Sequence, residues 1–238
     1  MTASLPSEVQ QVFDRFRTTA LTTLDVRGQP VCWPATHSYR PGDPCIDVRT
    51  PPGDRDDARA NPKVALLFAE SAGSGLDDAP QVLIQGTADV AGGDLVRVRP
   101  ERVYVWPGGD PTREPQLFDA HMEEVRSGHD EEPDAPHATA GGGAPTWHEC
   151  IDELGGSFDA VLSLVAPDGF PFSVRVPVEA DGAAQRLRIP GGVLGVPVQP
   201  GLACLTARDE FQVHGDLVDE ESGWVVVPHR VLGAPGNK

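Results

Sequence analysis

Two stretches decide the fold: ALTTLDVRGQPVCWP at Ala20–Pro34 and AVLSLVAPDGFPFSVR at Ala160–Arg175. Each is an alternating β segment, a glycine-containing turn, then proline and a second β segment. That is a hairpin pattern. Three further pairs follow in the same order. NPKVALLFAE (Asn61–Glu70) matches QPGLACLTAR (Gln199–Arg208), and VLIQGTADV (Val82–Val90) matches FQVHGDLVD (Phe211–Asp219). RPERVYVWPGG (Arg99–Gly109) matches VPHRVLGAPGN (Val227–Asn237). Four collinear blocks imply an internal duplication with trimmed loops in the second copy.

Each copy then holds about six short strands. The first set is expected near 19–26, 30–38, 45–50, 63–69, 81–90 and 98–106. The second is expected near 159–166, 171–179, 186–190, 201–207, 211–218 and 223–231. Many short strands separated by turn residues point to a barrel or sandwich. The division reads as a first copy over 1–110, an acidic helix and linker over 111–157, and a degenerate second copy over 158–238. Helical spacing occurs at Pro6–Arg17, through Val9, Val12, Phe13 and Phe16, and again at Pro115–Ser127, through Leu117, Phe118, His121, Met122 and Val125.

The 238 residues carry a net charge of −17. The 47 residues of 111–157 hold −9 of it, and residues 129–145 read as an acidic, Pro/Gly-rich linker. Nucleic acid and anionic membranes need a positive field, so both are excluded as partners. No apolar run reaches the length of a membrane span. The N-terminus lacks the apolar region of a secretory signal, so a cytoplasmic location is expected. Cys32, Cys45, Cys150 and Cys204 form no CxxC and read as reduced thiols. His121, His129, His137 and His148 are too widely spaced to converge on a metal. The glycines at 141–143 follow no strand and make no phosphate loop. No nucleophile elbow and no acid–base pair appear, so no catalytic residue is named.

The order TTLDVRGQPVCWP, NPKVALLF, VLIQGTADV resembles the pyridoxamine 5′-phosphate oxidase-like, FMN-binding split-barrel superfamily, in its tandem actinobacterial-type branch. The resemblance implies a mostly β chain of two six-stranded antiparallel split barrels with a few short helices. It implies FMN in a groove between barrels and an oxidoreductase of unknown substrate. As a monomer, the two barrels of one chain would form a pseudo-dimer; a homodimer is the alternative assembly. Carried over, the cofactor contacts are Trp33, Pro34, Ala35 and Thr36 on the second strand, Thr50 at the end of the third, Arg55 and Arg59 in the following loop, and Gln85 at the ring edge. Asp54 stands where the phosphate lysine of the family aligns. The corresponding loop of the second copy, PGGVLGVP, has no basic residue, so at most one cofactor per chain is expected. Arg175, Arg188 and His214 could reach across from the second copy, and each reads first as a surface strand residue. The rival reading is a non-enzymatic, degenerate split barrel that binds a small ligand, deazaflavin, haem or a protein partner. Asp54 favours it.

Overall fold

A computed structural model describes residues 5, 7–70, 79–90, 92–119, 151, 156–190, 195–196, 198–208, 211–221 and 223–233. The linker over 129–145, the four histidines, the glycines at 141–143 and Cys150 lie outside the described residues. The chain opens with α1 (Ser7–Arg15), then β1 (Thr18–Leu24), β2 (Pro30–Ser38) and β3 (Ile46–Arg49). Helix α2 (Pro52–Ala60) precedes β4 (Lys63–Phe68), β5 (Gln81–Val90), β6 (Leu95–Trp106) and β7 (Gln116–Asp119). In the second half the described elements are the strands β8 (Ser157–Val165), β9 (Pro171–Asp181), β10 (Arg186–Arg188), β11 (Gly201–Ala207), β12 (Phe211–Glu220) and β13 (Gly223–Gly233).

In the first half the strand order is β3-β2-β1-β4-β5-β6, and β3 pairs back onto β6 to close a barrel. In the second half β10-β13-β12-β11-β8-β9 closes likewise. All pairings are antiparallel. The mostly β, two-barrel expectation therefore holds. Apolar residues alternating along the strands fill the first barrel, among them Leu21, Ile46, Leu66 and Ile84. Helix α1 lays Val9, Val12 and Phe16 on that core, as its spacing requires.

One expected helix is corrected. Gln116–Asp119 is the strand β7, paired with Arg102–Val105 of β6. Strand β3 covers β6 only at Leu95–Val98, so the rest of that edge is open and an adjacent segment completes it. The remainder of 115–127 beyond Asp119 lies outside the described residues.

The duplication is visible residue by residue in the registers. Thr22 faces Cys32 in the first barrel as Ser163 faces Ser173 in the second. Both hairpin turns repeat the same two backbone bonds, Asp25–Gln29 with Gly28–Asp25 and Ala166–Phe170 with Gly169–Ala166. Gly28 and Gly169 both hold left-handed φ, +77° and +79°. The β5–β6 register slips between Gln85 and Gly86, and the β12–β13 register between His214 and Gly215. At these matching bulges Gly86 pairs with Pro100 and Gly215 with Pro228. A Cβ on Gly86 would lie 2.2 Å from the Arg99 carbonyl oxygen, and one on Gly215 2.5 Å from that of Val227. Gly86→Ala and Gly215→Ala should each destabilise the fold by about 1–3 kcal/mol, since backbone cannot move aside cheaply. Thermal melts should show this as a drop of several degrees. A variant that melts with the wild type would refute the close approach.

Candidate functional site: the inter-barrel grooves

The barrels pack through the outer faces of their first, second, fourth and fifth strands. Thr22, Ser163 and Ser173, all fully buried, meet there. Thr22 Oγ1 lies 2.7 Å from Ser173 Oγ and 3.3 Å from Ser163 Oγ, and the two serines are 2.9 Å apart. Around this triangle, side chains of one barrel serve backbone of the other. Gln29 Nε2 donates to the Ala203 carbonyl at 2.9 Å, and Gln85 Nε2 to the Pro171 carbonyl at 2.8 Å. Thr206 Oγ1, at 2.9 Å, and Gln212 Nε2 both donate to the Cys32 carbonyl. Gln81 Oε1 accepts from the Arg175 backbone N–H. Burial pushes the thiols of Cys32 and Cys204 up, so both stay protonated.

Two grooves flank this contact and are related by the duplication. Registers make Gln85 the counterpart of His214, and Arg102 the counterpart of Arg230. The first groove sets the β1–β2 turn, with α2 beside it, against β12. The second sets the segment before β11 and the β8–β9 turn against β5 and β6.

In the first groove α2 turns Asp54 inward. Asp54 is buried and accepts a hydrogen bond from Thr50 Oγ1. Burial raises the pKa of Asp54, the Thr50 bond offsetting part of the shift. Burial also pushes Asp57 up to about 6, with Asp25, Asp54 and Asp56 adding like charge. His214 is buried and donates from Nε2 to Gln212 Oε1 at 2.9 Å, whose amide nitrogen is already engaged. Burial, then Arg230 and His229, push His214 down to about 4, so it is neutral in the fold. The surface assignment of His214 is thus corrected: it packs against the first barrel's turn rather than facing solvent. Sequence reasoning missed this because its alternating strand places polar and apolar residues on two faces that are both covered.

The carried-over residues separate. Trp33 and Ala35 are buried, and Ala35 belongs to the first barrel's core. Pro34 lines a separate 110 Å³ cleft with Thr18, Thr19, Glu70 and Arg175. Thr36 is exposed. Thr50 is tied to Asp54, and Arg59 pairs with Asp56 at 2.6 Å. Arg55 is half-buried and its Nε has no hydrogen-bond partner among the described residues. Gln85 spends its amide on Pro171, leaving its Oε1 without a partner among the described residues.

The second groove contains an open cleft of about 190 Å³. Arg102 and Tyr104 of β6 form one wall; Leu164, Phe172 and Val198 form much of the other. Phe172 stands edge-on to Tyr104, centroids 5.6 Å apart. Arg102 pairs with Asp168 of the facing turn and lies 4.9 Å from the Phe170 ring centroid. Lys63 Nζ donates to the Asp168 carbonyl at 2.8 Å and lies 5.0 Å from the same ring. The sequence signal for this cleft is the pair Arg102 and Tyr104 in RVYVW, two residues apart and so on one face of a strand.

Two closed six-stranded barrels in tandem, with a helix between the third and fourth strands of the first, settle the architecture. In fold, this chain is two closed six-stranded antiparallel barrels in tandem. No protein-family model matches the chain, and no curated protein matches it. Among solved structures it is similar to a protein from Clostridium acetobutylicum related to general stress protein 26 of B. subtilis (pyridoxinephosphate oxidase family). That likeness has 11% identity and a TM-score of 0.38, over 47% of this chain and 92% of the other. It is also similar to a haem-binding protein from Mycobacterium smegmatis (18%, TM-score 0.38, 49% of this chain and 59% of the other). An FAD-binding protein from Mesorhizobium loti is similar at 18% identity and TM-score 0.33, over 42% of this chain and 91% of the other. Among the described residues no helix is long and apolar enough to cross a membrane.

The resemblance read from the sequence implies FMN, whose phosphate dianion needs cations or free N–H donors. Here the buried Asp54 occupies the aligned position, Asp25, Asp54 and Asp56 gather around Asp57 beside it, and Arg55 is the one cation of the loop with an unpartnered buried donor among the described residues. The acids oppose a phosphate that Arg55 alone would hold.

Two tests follow. Asp57 binds its proton more tightly folded than unfolded, its ordinary value being 3.8. Its contribution therefore rises as pH falls from about 6 toward 4. His214 binds its proton less tightly folded, its ordinary value being 6.5, so its contribution is lost as pH falls from 6.5 toward about 4. The two oppose each other. Asp57→Asn should raise the melting temperature at neutral pH and make stability fall more steeply below pH 6.5; parallel profiles for variant and wild type would refute the assignment. Gln85→Leu strands the Pro171 carbonyl and should cost about 1–3 kcal/mol in urea unfolding. An unchanged midpoint would mean the amide is not holding the barrels together.

Proposed function

We propose that this chain is a ligand-binding tandem split barrel that takes a small molecule in the second groove, beside Arg102 and Tyr104, and does not retain FMN. The observation that carries this reading is the contrast between the grooves. The position aligned with the phosphate lysine holds the buried Asp54 carboxylate, whereas the opposite groove keeps an open, largely apolar cleft. A concave apolar cleft with a few convergent polar groups is the usual form of a small-molecule site. No step of flavin chemistry is derived, because the acids beside Arg55 oppose the group that would anchor the cofactor.

A flavin-dependent oxidoreductase is the second reading. Arg55 favours it, since its buried Nε is a donor with no partner among the described residues. FMN titration of the purified full-length chain separates the two. Little or no quenching of FMN fluorescence, and no flavin absorption in the protein as isolated, is the expected result. Stoichiometric quenching that is lost in Arg55→Ala would overturn the first reading in favour of the second.

A further inference from the structure

We propose that a third cleft, on the axis that relates the two barrels, binds a small amino acid in its zwitterionic form, the carboxylate on Arg175 and the ammonium on Glu70. This cleft is separate from both grooves, and the proposal does not rest on the ligand reading of the second groove.

The duplication places the cleft. In the registers Ala20 faces Pro34 as Val161 faces Arg175. Two residues along the same strand faces stand Thr22 with Cys32, and Ser163 with Ser173. Ala20, Pro34, Val161 and Arg175 all line one cleft of about 110 Å³. The cleft therefore continues outward from the buried hydroxyls, along the line where the two hairpins face each other. Its surface is largely polar and it opens to solvent, so charge rather than volume selects what enters.

Arg175 stands where the first copy has Pro34, and this substitution brings a cation to the axis. Its backbone N–H is held by Gln81 Oε1 of the other barrel, which fixes the root of the side chain. The residue is half-buried, and its Nε is shielded from solvent with no hydrogen-bond partner among the described residues. No ion pair among the described residues includes it. Withdrawing a guanidinium from water without an acceptor is unfavourable, and an anion offsets that cost. Nε and the adjacent Nη present two parallel N–H bonds, the fork that the two oxygens of a carboxylate meet.

Glu70 sets the other end. It lines the same cleft from the first barrel, is half-buried, and likewise belongs to no ion pair among the described residues. Two opposite charges thus face one cleft without pairing to each other. A simple anion would gain Arg175 and be opposed by Glu70; a simple cation would meet the reverse. A molecule that carries both carboxylate and ammonium satisfies both. Two further charges flank lining residues in the sequence: the exposed Arg17, between Phe16 and Thr18, and Asp159, two residues before Val161 and already partnered. Their signs are opposite, so neither charge type is favoured by the rim.

The experiment is calorimetric titration of the full-length chain with glycine, β-alanine, γ-aminobutyrate, acetate and methylamine, in a buffer free of other carboxylates, phosphate and sulfate. At least one of the three amino acids should bind roughly tenfold or more tightly than both acetate and methylamine. The best of the series reports the separation of the two charges. Arg175→Gln should weaken that amino acid about tenfold or more, with a melting curve reporting whether the fold survives. Glu70→Gln is the second variant, and should bring the affinities for acetate and the amino acid together. Acetate or methylamine bound as tightly as the best amino acid in the wild type, no binding of any of the five, or a Glu70→Gln variant that keeps the full preference would each overturn the proposal.

Discussion

A closed barrel covers its interior but leaves the outside of its sheet exposed, and each barrel here covers the other. The constraint that orders the structure is the set of carbonyls buried in that contact. Those of Cys32, Pro171 and Ala203 need donors, and all three receive them from the opposite barrel. An unpaired carbonyl in such a place costs more than the bond itself contributes, so the docking admits little sliding. The hydroxyls of Thr22, Ser163 and Ser173 sit at the centre, where apolar side chains would permit many registers and hydrogen bonds permit few.

The near-twofold relation of the barrels makes two grooves, and divergence of one connection gives them different chemistry. Between the third and fourth strands the first copy has α2, which turns Asp54 inward. The second copy has an uncharged glycine- and proline-rich connection there. Helix α2 brings Asp54 and Asp57 toward Asp25, which lies close to the neutral His214, so one groove is acidic. Arg102, the counterpart of Arg230, reaches Asp168 across the barrels. One duplicated strand register therefore supports a filled groove and an open one.

Most strand limits were legible because alternation, proline and glycine act locally. The turn at Asp25–Gln29 needs left-handed backbone at Gly28, and its counterpart needs it at Gly169. The bulge glycines Gly86 and Gly215 were matched from sequence alone, and the same carbonyl contact explains both. The stripe at Leu117 and Phe118 misled because apolar spacing in a short segment serves a strand as well as a helix. An open edge on β6 decided between them. The orientation of Asp54 was not legible either: three aspartates in four residues read as a solvated turn until packing turned one inward.

By itself the sequence determined the duplication, the two sets of six strands, the turns between them and the strong negative charge. These follow from local backbone preference and composition, which need no distant partner. Only the tertiary structure decided which polar residues became interior. Thr22, Ser163, Ser173, Gln85, Gln212 and His214 lie on strands whose outer faces would be solvated in a single barrel. They are buried because a second barrel lies against them, and burial of that kind depends on residues more than eighty positions away.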